Sequence, residues 1–158
     1  MILYHGTNVD FKEIDISKSN KYKDFGQGFY LTDIRMQAEQ LAVKKARLFG
    51  GYPIIQEYEF DESLLNAGNL NVLRFERPCK EWAEFVFANR SNQTDAPTHD
   101  YDIVYGPIAD DKVGVQIRNL IEKNITIEVF LERLKYIKGI TFQYYFGTPK
   151  AINLLKRL

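Results

Sequence analysis

The feature of this sequence that most restricts its fold is a strand-like run that leads directly into a long amphipathic helix. The run "GFYLT" at residues 28–32 is rich in aromatic and β-branched side chains, as buried strands are. From Asp33, the predicted N-cap, apolar residues recur at helical spacing until Gly50 and Gly51, which are typical helix terminators. A strand and a helix in direct succession indicate a mixed fold.

Further strands and helices are interspersed along the chain at irregular intervals. Strands are predicted at residues 2–4, 53–60, 70–75, 101–106 and 140–146. Helices are predicted at 79–90, 111–122 and 126–137, before a last helix that begins with Pro149 and that Thr148 caps. This spacing differs from that of repeated βαβ units, which build parallel sheets. We therefore predict an α+β fold with a mostly antiparallel sheet, formed by a single domain over residues 1–158.

Charge, cysteine content and hydropathy disfavour several classes of protein. The 21 basic and 21 acidic residues balance, so the chain has no overall field that would attract nucleic acid or an anionic membrane. Cys79 is the single cysteine and can form neither an internal disulfide nor a thiolate metal site. No apolar run reaches the length of a membrane span, and the first one is too short for a signal peptide. We expect a cytoplasmic protein without a membrane partner.

Three short polar pieces lie at the ends of predicted strands: "YHGT" at 4–7, "GQGFYLT" at 26–32 and "FQYYF" at 142–146. Taken singly, each has a structural explanation. A histidine beside a strand is more often a satisfied structural residue than a catalytic one, and glycines can simply turn the chain. No dinucleotide or P-loop glycine fingerprint can be completed around Gly26 and Gly28, so a phosphate cradle is not indicated.

In this order the three pieces resemble the motifs of the ADP-ribosyltransferase superfamily, on its diphtheria-toxin and poly(ADP-ribose) polymerase side. Those proteins have a His-Gly-Thr/Ser strand, then Gly-x-Gly-x-Tyr before a helix, and a later strand that carries Glu or its substitute. More narrowly, the sequence resembles the bacterial DUF3990 family, through "DFGQGFYLT", "WAEFVFANR", "YDIVYGPIADD" and "FQYYFGTPKAINLL". The resemblance covers nearly the whole chain. It implies a split antiparallel sheet with surrounding helices.

The resemblance also implies NAD as the substrate, with no metal. Cleavage of the nicotinamide–ribose bond passes through an oxocarbenium-like transition state, and the cationic leaving group needs no general acid. By resemblance, the Tyr30 ring contacts nicotinamide, and Gly6 pairs with its carboxamide through a free N–H and a free C=O. His5 bonds a ribose hydroxyl as a neutral imidazole. Thr7 contacts the adenosine half of NAD.

The two glycines before Tyr30 are expected to let backbone and ligand approach each other closely, Gly26 and Gly28 alike. A larger side chain at Gly28 should then abolish turnover while the fold survives. Arg90, on the predicted helix 79–90, could reach the pyrophosphate of NAD or the acceptor. A solvated helix end is an equally good interpretation of Arg90.

Gln143 departs from the superfamily pattern, in which a Glu accepts from the ribose 2′-OH. Glutamine keeps that hydrogen bond without its charge, and a neutral bond contributes about 0.5–1.5 kcal/mol against about 1.5–3 for a charged one. A loss of about 1–2 kcal/mol slows the chemistry by about one or two decades. Gln143→Glu should then keep NAD cleavage similar or raise it. Mono-transfer or NAD hydrolysis is expected, since chain elongation needs a base.

Three carboxylates could supply the missing charge: Asp24, beside the glycines, and Asp110 and Asp111, after a Gly-Pro turn. Capping of the next helix is the default expectation for the last two. Lys18, Lys21 and Lys23 precede Tyr30 and could form a small basic lip for phosphates or nucleic acid, although a solvated loop is the stronger interpretation of these three lysines.

The sequence thus predicts an NAD-dependent mono-ADP-ribosyltransferase with His5, Tyr30 and Gln143 as catalytic residues. Its acceptor would be a protein or a nucleic acid. The resemblance adds a role as a toxin or defence effector, with a small antitoxin protein as a partner. The alternatives are an NAD glycohydrolase, an RNA 2′-phosphotransferase that the neutral charge disfavours, and a non-catalytic module that binds NAD, ADP-ribose or a protein.

Overall fold

The computed structural model describes residues 1–158 and contains seven strands and five α-helices. The strands are β1 (Ile2–Thr7), β2 (Phe29–Leu31), β3 (Ile54–Glu59), β4 (Val72–Arg74), β5 (Ile103–Pro107), β6 (Phe142–Phe146) and β7 (Lys156–Arg157). The helices are α1 (Arg35–Phe49), α2 (Lys80–Arg90), α3 (Asp111–Ile121), α4 (Ile127–Lys135) and α5 (Pro149–Ile152). None of the helices is long and apolar enough to cross a membrane.

The strands form two sheets that meet at one point. One sheet has the order β1-β3-β7 and the other the order β2-β6-β5-β4. All neighbouring strands are antiparallel except β4 and β5, which are parallel. A single antiparallel bridge, between Tyr4 and Thr32, joins β1 to β2. The prediction of an α+β fold with a mostly antiparallel sheet is confirmed.

Buried apolar residues form two clusters on opposite faces of the larger sheet. Tyr145 and Val104 point toward α2, α3 and α4, where Trp82 and Phe130 are fully buried. Successive strand residues alternate between the two faces of a sheet. Phe146, the residue after Tyr145, therefore points to the opposite face, into a second cluster that extends to the smaller sheet. The helices of the first cluster therefore cover the face of the sheet that also carries Gln143.

Most predicted elements are present, and their ends differ in informative ways. The strand predicted to stop at Tyr4 continues through Thr7, because β3 pairs with it along its whole length. Helix α1 begins at Arg35 with Ile34 in the N-cap position, so the prediction of Asp33 as the cap is wrong. Its predicted end is confirmed, since Gly50 follows with a positive φ of 83°.

Candidate functional site

His5, Gly6 and Tyr30 lie together where β1 and β2 separate, at a gap that is called the opening below. Tyr4 exchanges both of its backbone hydrogen bonds with Thr32, at 2.7 and 3.0 Å. The N–H and C=O of a strand residue point to the same edge, and this direction repeats at every second residue. Gly6 therefore presents its backbone toward β2 just beyond the bridge. The antiparallel order places Tyr30 across from Gly6, on the other side of the opening.

His5 connects the two strands at this opening through its side chain. Its Nδ1 lies 2.8 Å from the carbonyl oxygen of Tyr30, and since a carbonyl only accepts, Nδ1 carries the proton. This tautomer leaves Nε2 as a hydrogen-bond acceptor. Burial, with a smaller effect of the Lys45 charge, lowers the pKa of His5 to about 3. His5 is thus a neutral imidazole with a defined acceptor nitrogen.

Tyr30 closes the glycine-rich turn that precedes it. Its hydroxyl donates to the carbonyl oxygen of Gly26 at 2.7 Å and accepts from the N–H of Phe25 at 3.0 Å. Burial raises the pKa of Tyr30 well above its ordinary value, so the hydroxyl remains a donor. The ammonium of Lys23 lies over the Tyr30 ring, 4.8 Å from its centroid. A flat ligand on Tyr30 therefore competes with Lys23 for the ring.

The backbone of Gly6 is not as free as the sequence suggested. Its carbonyl oxygen accepts a hydrogen bond of 2.9 Å from Nζ of Lys45, on helix α1. A β-carbon at Gly6 would lie only 2.1 Å from the carbonyl oxygen of Ala38. Glycine is therefore required here so that α1 can pack directly on β1. The expectation of a free Gly6 carbonyl is wrong for the protein without a ligand.

Gln143 is held by a buried carboxylate. Its amide nitrogen lies 2.9 Å from Oδ2 of Asp24, a residue with only 7% of its surface exposed. Since a carboxylate only accepts, this contact fixes the orientation of the amide and directs Oε1 away from Asp24. The same Oδ2 accepts from the N–H of Ala109 at 2.9 Å, and Oδ1 pairs with Arg90 at 2.6 Å. Asp24 thus joins the loop before β2 to α2, β6 and the start of α3.

This network decides the roles of the other predicted residues. Arg90 donates to Asp24 and to the carbonyl of Ala109, so it supports the site rather than presenting a free charge to a pyrophosphate. Asp110 caps α3 through Val113 at 2.9 Å, as its default interpretation predicts, and Asp111 is exposed. Among these three carboxylates, Asp24 is the one that contacts Gln143.

The remaining predicted residues have mainly structural roles. Gly26 adopts a left-handed φ of 92°, and Thr7 bonds the backbone of Val9 within a turn. A β-carbon at Gly28 would lie 2.2 Å from Cε2 of the Tyr145 ring. The expectation that the fold survives a larger side chain at Gly28 conflicts with this packing, because the Tyr145 ring already fills the space.

Two features of this region were not predicted. The amine of Lys45 belongs to the site, although the sequence shows only a lysine on a helix. A cavity of about 370 Å³ also lies next to the site, between residues 16–27 and 89–101. His5, Tyr30 and Gln143 do not line this cavity, but Gly26 and His99 do. His99 donates from Nε2 to the carbonyl of Phe25 at 2.7 Å. It follows no periodic pattern, so the sequence identified it only as a loop residue.

The fold and the site together define an α+β protein with a polar opening between two sheets. It contains no group of three or more His, Cys, Asp and Glu side chains that could hold a metal ion. The chain belongs to the family described as "Protein of unknown function (DUF3990)", whose model matches residues 1–157. No curated protein and no solved structure matches it.

Proposed function

We propose that the protein is an NAD-dependent mono-ADP-ribosyltransferase in which His5, Tyr30 and Gln143 act on the substrate. The observation that carries the proposal is the neutral His5, bonded to the Tyr30 carbonyl at the point where β1 and β2 part. Gln143 lies on the same sheet face as Tyr30, because Tyr30 pairs with Tyr145, two residues further along β6. This arrangement fits the split sheet that the sequence resemblance implies.

Each of the three residues has a distinct role in this proposal. Nε2 of His5 accepts from a ribose hydroxyl, and the Tyr30 ring contacts nicotinamide. Oε1 of Gln143 accepts from the 2′-OH of the nicotinamide ribose. Asp24 is a positioning residue: by accepting from the Gln143 amide nitrogen, it polarises the amide and makes Oε1 a stronger acceptor. Part of the negative charge that a Glu would provide is thereby restored.

The chemistry needs little else from the protein. The bond between C1′ of the ribose and N1 of nicotinamide breaks, and its electron pair leaves with nicotinamide as the neutral base. A lone pair on the acceptor then forms the new bond to C1′, and the acceptor's proton passes to solvent. Gln143 is not a base, so it activates no acceptor hydroxyl. Transfer of a single ADP-ribose, rather than chain growth, follows from this.

Release of nicotinamide from NAD tests the proposal. We expect Gln143→Ala to slow release about 10–100-fold, since it removes a hydrogen bond of about 1–3 kcal/mol from the transition state. Gln40→Ala, an exposed glutamine on α1, is the matched control and should behave like the parent. Calorimetry should show weaker NAD binding for His5→Ala and Tyr30→Ala. Absence of nicotinamide release by the parent, with and without a bacterial lysate as acceptor source, contradicts the proposal.

The products distinguish transfer from the nearest alternative, hydrolysis of NAD. A glycohydrolase releases free ADP-ribose in the same amount as nicotinamide, whereas a transferase leaves label from NAD on a macromolecule. Treatment of the labelled lysate with protease and, separately, with nuclease then identifies a protein or a nucleic-acid acceptor. For a toxin or defence effector, growth arrest on expression in bacteria should be lost in Gln143→Ala. A small antitoxin should restore growth of cells that express the parent.

A second candidate function is a non-catalytic module that binds NAD or ADP-ribose. Two observations favour it: residue 143 carries no charge, and Lys23 covers the Tyr30 ring. Such a module would bind ADP-ribose and NAD by calorimetry while releasing no nicotinamide from NAD.

A further inference from the structure

Two lysines from different elements lie on opposite sides of the opening between β1 and β2. Lys45 extends from α1 to the carbonyl oxygen of Gly6 at 2.9 Å, and Lys23 lies over the Tyr30 ring at 4.8 Å. Gly6 and Tyr30 face each other across the opening. The two ammonium groups are therefore anchored on its two walls.

Neither lysine has an anionic partner in the protein. Ten ion pairs are formed elsewhere, and none includes Lys23 or Lys45. Asp24 is next to Lys23 in sequence, but its oxygens already accept from Arg90, Ala109 and Gln143. The Asp24 charge acts to raise the pKa of Lys23 from a distance, but no carboxylate forms an ion pair with either ammonium group.

The two charges are close enough to affect one another and His5. Burial, with a smaller effect of the Lys23 charge, lowers the pKa of Lys45 to about 8. Burial likewise lowers the pKa of Lys23, and both ammonium groups act to lower that of His5. Two cations in a half-buried opening are unfavourable in the free protein, and an anion between them would remove this cost.

We propose that Lys23 and Lys45 form the binding site for the diphosphate of the dinucleotide substrate. Lysine binds phosphate as a compact point charge, and one ammonium from each wall matches a ligand with two negative charges. Arg90, the sequence candidate for this role, is already bonded to Asp24. The identity of the dinucleotide as NAD rests on the function proposed above.

The same two contacts explain how phosphate binding prepares the nicotinamide site. In the free protein the Lys45 ammonium donates a hydrogen bond to the Gly6 carbonyl, and the Lys23 ammonium lies over the Tyr30 ring. Those are the two groups that nicotinamide would contact. When the ammonium groups move to the diphosphate, both become available. Binding of the diphosphate is therefore coupled to binding of the nicotinamide ring.

Calorimetry with inorganic pyrophosphate and with nicotinamide tests this site without requiring turnover. Against the parent, we expect Lys23→Gln and Lys45→Gln each to weaken pyrophosphate binding about tenfold and the double variant more, with binding to the parent falling as salt rises. Because the anion needs protonated lysine, binding to the parent should also fall as pH rises above about 8. Lys44→Gln, an exposed neighbour on α1, is the control and should bind pyrophosphate like the parent.

Binding of nicotinamide alone separates this role from a merely structural one. The double variant should bind nicotinamide as well as the parent or better, because both contact groups are then free. Pyrophosphate that fails to bind the parent, or binds the double variant equally well, overturns the proposal. If the double variant cleaves NAD with an unchanged KM, the diphosphate site is also wrong, whereas the proposed function is still supported. Lysine-dependent pyrophosphate binding without any nicotinamide release supports the site while the proposed function fails.

Discussion

The amide nitrogen of Gln143 donates to the carboxylate of Asp24 at 2.9 Å, although the two residues are 119 positions apart in the chain. This contact gives a physical reason for the glutamine. A Glu at position 143 would place two carboxylates against each other, in a region where Asp24 is buried. The expectation that Gln143→Glu keeps or raises NAD cleavage assumed a side chain without this neighbour, and the structure contradicts that assumption.

The first prediction is that Gln143→Glu destabilises the protein in a pH-dependent way. Repulsion from Asp24 raises the pKa of the new carboxyl in the folded state above its value in the unfolded chain. A group with a raised folded-state pKa loses its stabilising contribution as the pH rises. The free energy of unfolding of Gln143→Glu should therefore be only slightly lower than that of the parent at pH 5, and about 1–3 kcal/mol lower at pH 8. Urea unfolding at the two pH values measures this difference.

A charge exchange provides the control for that prediction. The double variant Asp24→Asn/Gln143→Glu has the same total charge as the parent and an amide opposite a carboxylate. We expect it to be more stable at pH 8 than the sum of the two single variants by about 1–2 kcal/mol. Strict additivity of the two changes, or a Gln143→Glu protein as stable as the parent at pH 8, would show that the two side chains do not interact.

The second prediction concerns the ion pair between Asp24 and Arg90. Asp24→Asn removes the negative charge but retains the size of the side chain, so Arg90 loses its partner. Broken buried pairs cost about 3–5 kcal/mol, and because the Arg90 side chain is 36% exposed we expect about 2–3 kcal/mol here. Asp111→Asn, an exposed carboxylate in the first turn of α3, should cost less than about 1 kcal/mol. Equal urea midpoints for the two variants would contradict this role of Asp24.

Sequence patterns predicted the elements well because their signals are local. Gly50 ends α1, and Thr148 caps α5 through the N–H of Ala151 at 3.2 Å, as their residue types indicate. Strand β7 has only two residues and depends on pairing with β3, so no periodicity marks it. Local pattern can predict neither Asp24 as a support for Gln143 nor Lys45 as a partner of Gly6. Both contacts depend on how distant elements pack.

The third prediction follows from the packing of Gly28 against Tyr145. Gly28→Val places a side chain where the Tyr145 ring and the carbonyl oxygen of Phe146 already lie, and that oxygen is 2.9 Å from the point that a β-carbon would occupy. Overpacking of this kind costs about 1–3 kcal/mol and occasionally more, and we expect the upper end because β2 and β6 are paired here. Thermal unfolding followed by circular dichroism measures the loss.

Gly68→Ala is the control for this loss of stability. Gly68 has an open environment and a positive φ of 81°, so only backbone strain of about 1 kcal/mol is expected. If Gly28→Val unfolds at the same temperature as the parent but no longer binds NAD, this prediction is wrong. Gly28 would then be a ligand contact, as the sequence suggested.

The last prediction uses the neutral state of His5. Its pKa is about 3 in the folded protein and 6.5 in an ordinary environment, so the unfolded chain binds the proton more tightly. A group with a lowered folded-state pKa contributes stability that is present above pH 6.5 and is lost as the pH falls toward 3. The slope approaches about 1.4 kcal/mol per pH unit at most, and less because the ring is partly exposed to solvent. The parent should therefore lose stability between about pH 6.5 and 4.5 more steeply than His5→Gln does.

NMR provides an independent measurement of the same quantity. His5 and His99 are the two histidines of the chain, so the His99→Gln variant leaves a single imidazole to follow. Its ring signals should show no titration between about pH 8 and 5, and its Nδ1 should carry the proton that is bonded to the Tyr30 carbonyl. An imidazole that titrates near pH 6.5 would mean that His5 is charged in mildly acidic solution. Nε2 would then be a donor, and the ribose contact proposed for it would have to be reassigned.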